Sequence, residues 1–300
     1  MKLRVTRKAA LCAAIAVLAA VYTLQLILGA PDTVRVESLA DAPDAIEIAR
    51  PGMAALKLSE SGGKWLIGDK GYPADVARVE AMTKAIGTVK ILGRVSGDAE
   101  SGEFGLGESE RLLVTAWKGG KKIRSLTVGK NAVTAQQSYV QLDEGSDVLL
   151  VSGALKAVFD RDGESLRDKT IWTLTADALS RVSVSGGKAW AIEKSGEPPA
   201  WALAAGSSVP GELDAEKAGS WVSGLLSIKA AGFVPGDAAP PSALLGRVVL
   251  TAGGKEYAIA VHEKGEDGKY LCSSSESPYA FYLTSASAEK FLKGAADLMK

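Results

Sequence analysis

Two cysteines and a single histidine are all that this 300-residue chain offers of the side chains that most often ligate metals or activate nucleophiles. Cys12 lies in an apolar N-terminal run and Cys272 lies far down the chain, so the two do not form a disulfide framework and the fold must rest on core burial. His262 has no Cys, His or carboxylate at ligand spacing. A Ser-His-Asp triad would have to use it, yet no Gly-x-Ser-x-Gly elbow is present to hold the nucleophile. Lys118-Gly119-Gly120-Lys121-Lys122 lacks the order of a phosphate-binding loop and is read as a basic hairpin turn. Aromatics are scarce at 6% of residues, and neither charge sign is in excess, with 35 basic and 35 acidic side chains. Four of the cations stand in the first eight residues, so the remainder is weakly acidic, a poor match for nucleic acid. No enzyme activity, cofactor, metal or catalytic residue is expected. Hydrophobic residues still make up 47% of the chain, which fits a packed globular protein rather than a disordered one.

What the chain does have is one long apolar run. Lys2, Arg4, Arg7 and Lys8 precede a stretch from Ala9 to Ala30 whose only strongly polar members are Thr23 and Gln25. At about 1.5 Å per helical residue such a run covers roughly 30 Å, the thickness of a hydrocarbon core, and exceeds the about 7–15 residues of a signal-peptide core. Pro31 would follow the best candidate cleavage point, Leu28-Gly29-Ala30, and hinder the peptidase. Cys12 sits at the start of the run rather than after it, which argues against lipoprotein processing. The expectation is an uncleaved single-pass anchor in the cytoplasmic membrane, with residues 1–8 inside, 9–30 spanning and the rest outside, periplasmic where an outer membrane exists and extracellular where it does not.

It also has a repeat. Lys64-Trp65-Leu66-Ile67 aligns with Ala200-Trp201-Ala202-Leu203 at an offset of 136 residues, and the same offset carries Ile46 onto Val182, Ile48 onto Val184, and Leu113-Val114-Thr115-Ala116 onto Val249-Leu250-Thr251-Ala252. Each copy is expected to run β-β-β-α-β-β-β-β-α. In the first, Asp75 caps a helix with Val76, Val79, Met82, Ile86 and Val89 on one face. In the second, Asp214 caps a helix burying Ala218, Trp221, Val222, Leu225 and Ile228, and a last helix runs from about Ser287 to Met299. Pro-Gly and Gly-Gly turns imply hairpins, hence mainly antiparallel sheets with helices packed on one face, an α+β class. The expected organisation is a spacer over 31–43, a first module over 44–159, a charged linker over 160–172 and a second module over 173–300. Residues 97–107 and 235–242 are read as diverged surface loops. Strand alternation places His262 towards solvent, opposite Tyr257, Ile259 and Val261. Trp65 and Trp201 are read as core, and Ser273-Ser274-Ser275-Glu276-Ser277 as a flexible polar loop.

Six strings in order, Lys64-Trp65-Leu66-Ile67, Tyr72-Pro73-Ala74-Asp75, Phe104-Gly105-Leu106, Thr127-Val128-Gly129, Tyr139-Val140 and Leu166-Arg167-Asp168-Lys169, resemble the exported family known as domain of unknown function 4340. The second copy departs from the pattern, with Ala243-Leu244-Leu245 in place of Phe104-Gly105-Leu106. The resemblance implies a membrane-anchored envelope protein associated with an ABC-type transport system, and it implies no catalytic residues. Function is therefore sought in the charged junction, Asp162, Arg167, Asp168 and Lys169, and in the region of Phe104 and Leu106, as interaction or inter-module contacts. Charge-assisted hydrogen bonds that tie the linker to the modules are the structural reading of the junction. The function expected is an accessory or binding subunit with permease and ATPase partners; a stand-alone scaffold that contacts the cell wall is the alternative, and an envelope enzyme using Asp162 and Asp168 a third.

Overall fold

A computed structural model describes residues 7–28, 34–96, 102–207, 209–235, 243–265 and 267–300. The expectations placed on residues 1–6, 29–33, 97–101 and 236–242 lie outside them. Helix α1, Arg7–Leu28, is 22 residues long, with side chains described over 13–24. Among the described residues no helix is long and apolar enough to cross a membrane. The chain divides into two compact units, residues 1–167 and 168–300. The junction segment is thus shared between them, Asp160 to Arg167 belonging to the first and Asp168 onward to the second.

The first unit begins with strands β1 (Arg35–Ser38), β2 (Ala45–Ala49), β3 (Leu56–Ser61), β4 (Lys64–Ile67) and β5 (Tyr72–Pro73), then helix α2 (Val76–Gly87). Strands β6 (Thr88–Ser96), β7 (Leu112–Lys118), β8 (Lys121–Asn131), β9 (Gln137–Leu142) and β10 (Val148–Ser152) follow, with short helices α3 (Leu155–Phe159) and α4 (Gly163–Leu166) at the end. The strands form one ten-stranded antiparallel sheet in the order β1-β6-β10-β9-β8-β7-β2-β3-β4-β5. Two Gly-Gly turns fix hairpin register. Gly62 and Gly63 join β3 to β4, and Gly119 and Gly120 join β7 to β8 with φ of 57° and 74°, the left-handed pair that a two-residue hairpin turn demands. Asp75 caps α2, its carboxylate accepting from the N–H of Arg78 at 3.1 Å, and Val79, Met82 and Ile86 face inward. These pack with Ile46, Ile48, Val114, Leu126 and Val128 on one face of the sheet. Each such fully buried side chain contributes about 1.5–3 kcal/mol.

The second unit holds β11 (Leu179–Ser185), β12 (Trp190–Ser195), β13 (Ala200–Leu203), α5 (Ala215–Leu226), β14 (Gly232–Phe233), β15 (Leu244–Ala252), β16 (Lys255–Lys264), β17 (Tyr270–Ser274), β18 (Ser277–Leu283) and α6 (Ser285–Phe291). Its eight-stranded sheet reads β14-β18-β17-β16-β15-β11-β12-β13, which is the first sheet without β1 and β5. The backbone N–H of Lys217 donates to the Asp214 cap and holds that carboxyl below the usual carboxylate range. The duplication is therefore one of topology, and its register corrects the sequence alignment. Ile48 lies opposite Val114 and Val184 opposite Val248, so β7 maps onto β15 with an offset of 134, not 136. A slip of two residues returns every side chain to the same face, so hydrophobic alternation does not reveal it.

Other expectations change as well. Each copy has a further strand after its helix, β6 or β14; Val89 belongs to β6 rather than to α2, Val76 is exposed rather than on the buried face, and Ile228 is buried but lies past the end of α5. Residues 35–38, within the expected spacer, pair with the edge of β6 as β1. The last helix breaks at Leu292, and residues 295–298 form a separate 3-10 turn after Gly294. Ser273 and Ser274 lie in β17 and Ser277 opens β18, so the serine string is a hairpin rather than a loop, with the Ser275 hydroxyl accepting from the N–H of Ala258 at 3.0 Å. Trp65 and Trp201 are partly buried at the core margin. His262 is 9% exposed rather than solvent-facing, and neither ring nitrogen has a hydrogen-bond partner among the described residues. β16 is irregular at this point, since Val261 lies opposite Cys272 and Lys264 opposite Tyr270, three residues against two, and Val261 and His262 are buried in succession.

Cys272 is wholly buried in the second core, and desolvation pushes its thiol from 9.0 up to about 12. The thiolate is the reactive form. In a Cys12→Ser chain, Cys272 is expected to resist iodoacetamide at pH 8 while denatured protein is alkylated within minutes; equal rates read by mass spectrometry would contradict this burial.

Candidate functional site

Apart from Asp168 and Lys169, which open the second unit, the strings that mark the sequence lie in the first unit, where two places of contact join several of them. In one, the carbonyl of Phe104 accepts from the N–H of Lys130 at 2.9 Å, the Phe104 ring meets Tyr139 edge-on at 5.0 Å, and Leu106 is buried against Gly129. A Cβ on Gly129 would stand 2.2 Å from the Phe104 carbonyl and 3.1 Å from Leu106, so the glycine of Thr127-Val128-Gly129 is what admits the Phe104-Gly105-Leu106 loop. Phe104 and Leu106 serve here as a clamp on β8.

In the other place, Ala74 bridges Arg167 and the N–H of Asp75 donates to the carbonyl of Leu166 at 2.8 Å, so Tyr72-Pro73-Ala74-Asp75 and Leu166-Arg167 are one clasp. The Arg167 guanidinium, 6% exposed, lies 3.9 Å from the centre of the Tyr72 ring and donates to Glu164 at 3.4 Å. With Ile67, Asp69, Lys70 and Gly163 these residues line a cleft of about 340 Å³. The second unit repeats the backbone clasp, Leu213 bridging Met299 and Asp214 N–H donating to Leu298 at 2.9 Å, but Met299 stands in the place of Arg167. The polar chemistry of the cleft is thus particular to the first copy.

The remaining junction residues brace the backbone around them. The Asp162 carboxylate caps α4 by accepting from the N–H of Ser165 at 2.6 Å. Asp168 accepts from the N–H of Thr170 at 2.9 Å, and the Lys169 ammonium donates to the carbonyl of Ala231 at 3.3 Å. Both carboxylates engage backbone of their own segment, and Lys169 ties its segment to the strand beside β18.

Two arginines that the sequence did not single out carry more of the structure. Arg124, 6% exposed in β8, donates through one nitrogen to the carbonyls of Ile86, Gly87 and Glu37 at 3.1, 3.4 and 3.3 Å, where α2 ends. Arg50, at the end of β2, donates to Asp160 at 3.0 Å, to the carbonyl of Phe159 at 3.2 Å and to the carbonyl of Arg161. Its side chain, 12% exposed, closes the seam between β2 and the end of α3. The only prior signal for either was a cation in or beside an apolar strand run.

The second copy treats the same seam differently. Through the register of Ile48 and Val184, Arg50 corresponds to Gly186, with φ of 121°. Asp160-Arg161-Asp162 after α3 corresponds to Leu292-Lys293-Gly294 after α6. In place of the arginine plug there is a groove of about 590 Å³, within the about 300–1,000 Å³ of small-ligand sites. Val184, Trp190, Val209, Leu245, Phe291 and Leu292 give it apolar walls, and Lys188 and Lys293 are its charged members.

The fold is a duplicated α+β module built on two antiparallel sheets, with the Arg50 seam closed in one copy and the corresponding seam grooved in the other. The chain belongs to the family described as domain of unknown function (DUF4340), whose profile matches residues 65–245, from β4 of the first unit to β15 of the second. No curated protein and no solved structure matches the chain.

Proposed function

We propose that this chain is a single-pass envelope protein whose outward-facing duplicated domain serves as a binding or accessory subunit of an ABC-type transport complex. The observation that carries the binding role is the groove of the second unit, opened at the one seam where the first copy is closed by Arg50. A duplicated scaffold that keeps its strands and caps while losing one plug has kept its fold and changed its surface. The anchor rests on the basic residues before Ala9 and on α1, in which Ile15, Val17, Leu18, Val21 and Leu24 are exposed. A contiguous apolar face of this kind needs lipid or another protein to cover it. With no phosphate-binding loop in the sequence, ATP hydrolysis would fall to a partner.

Affinity isolation of the full-length chain from membranes, with mass spectrometry of what is retained, is expected to recover a permease and an ATPase subunit together. Retention by purified cell wall with no transporter subunit recovered would overturn the transport role and favour a stand-alone scaffold.

A further inference from the structure

We propose that the groove of the second unit holds a single-chain anionic amphiphile, a fatty-acid-like carboxylate with its chain along the apolar floor and its head between Lys188 and Lys293. The proposal rests on the binding role above and gives it a ligand class.

The comparison between copies selects the class. In the first unit the seam is polar, with the Arg50 guanidinium satisfied by Asp160 and by two main-chain carbonyls. In the second, Gly186 stands at the position of Arg50 with the backbone of Leu245 and Gly246 packed against it, and Leu292 stands at the position of Asp160, so the seam has lost its ion pair and is lined by apolar side chains. Trp190 and Leu245 extend that surface, and Leu245 remains 38% exposed. An exposed apolar trough of this size gains from burying a hydrocarbon chain. Among the described residues two cations and no carboxylate line it, and neither lysine is engaged in an ion pair. An anion at the mouth is therefore favoured and a cation is opposed. A peptide ligand is disfavoured for a separate reason. β11 pairs with β12 and β15, and β15 pairs with β11 and β16, so the strands that floor the groove offer no free edge for main-chain hydrogen bonds.

The test uses the full chain in nanodiscs of neutral phosphatidylcholine and a dodecanoate carrying a diazirine on its chain. Photolabel is expected on peptides spanning 184–190 and 291–296, to be competed by unlabelled dodecanoate but not by dodecanol or dodecyltrimethylammonium. In the K188E/K293E chain, labelling there is expected to fall at least fivefold with the thermal midpoint unchanged. L245W, which fills the groove without altering its charge, is expected to reduce labelling as well and covers the case in which the double variant misfolds. Label confined to the membrane helix, label indifferent to both variants, equal competition by the alcohol, or displacement by an uncharged apolar peptide would each overturn the assignment. Failure here with permease and ATPase still co-isolated removes the ligand and leaves the transport role; groove labelling without those partners does the reverse.

Discussion

Gly129→Ala is expected to destabilise the first unit by about 3 kcal/mol, the sum of an overpacked contact and partial exposure of a buried leucine. The added methyl would lie 2.2 Å from the Phe104 carbonyl, a distance that no side-chain rotation relieves because the obstructing atom is main chain. Phe104 must then retreat. Its hydrogen bond from Lys130, its edge contact with Tyr139 and the burial of Leu106 go together. Gly107→Ala is the control, since nothing lies within 4 Å of its added carbon and its backbone is not left-handed; its denaturant midpoint is expected to match the parent. A Gly129→Ala midpoint equal to that of Gly107→Ala would show that the loop does not rest on β8 as described.

Arg124→Ala is expected to cost about 3 kcal/mol, since hydrogen bonds from a charged donor contribute about 1.5–3 kcal/mol and a cation at a helix C-terminus adds up to about 2 kcal/mol in a partly buried setting. The carbonyls of Ile86 and Gly87 end α2, and that of Glu37 belongs to β1, so one side chain joins the helix terminus to the edge strand. Arg124→Met keeps most of the stem and is expected to recover less than half of the loss. Amide exchange supplies a readout specific to this role. The Leu39 N–H, bonded to the Gly87 carbonyl at 2.8 Å, and the β1 amides are expected to exchange much faster, while β16 and β17 in the other unit keep their protection. Unchanged β1 exchange would remove Arg124 from the helix terminus.

The family strings show how far a sequence carries such a reading. Tyr72-Pro73-Ala74-Asp75 and Leu166-Arg167 are about ninety residues apart and read as separate marks, one a helix start and the other a charged junction. In three dimensions they are one clasp, with Arg167 on the face of Tyr72. Asp162 and Asp168 read as candidate chemistry because they are dense in charge. Each accepts a main-chain N–H of its own segment, since a short carboxylate beside a turn readily reaches a neighbouring N–H. Arg50 and Arg124 passed unremarked because a strand position says which face a side chain takes, not that its tip will find the carbonyls of a helix end.

Sequence alone determined the α+β class, the duplication, the Gly-Gly hairpins, the two aspartate caps and the buried helix faces, because each rests on local periodicity or on backbone geometry that few residues tolerate. Tertiary structure alone decided the two-residue slip between the copies, the burial of His262, and the closing of one seam by Arg50 where the other is a groove lined by apolar side chains. These depend on which strand lies opposite which and on how far a side chain reaches across a gap. A pattern of period two is blind to both.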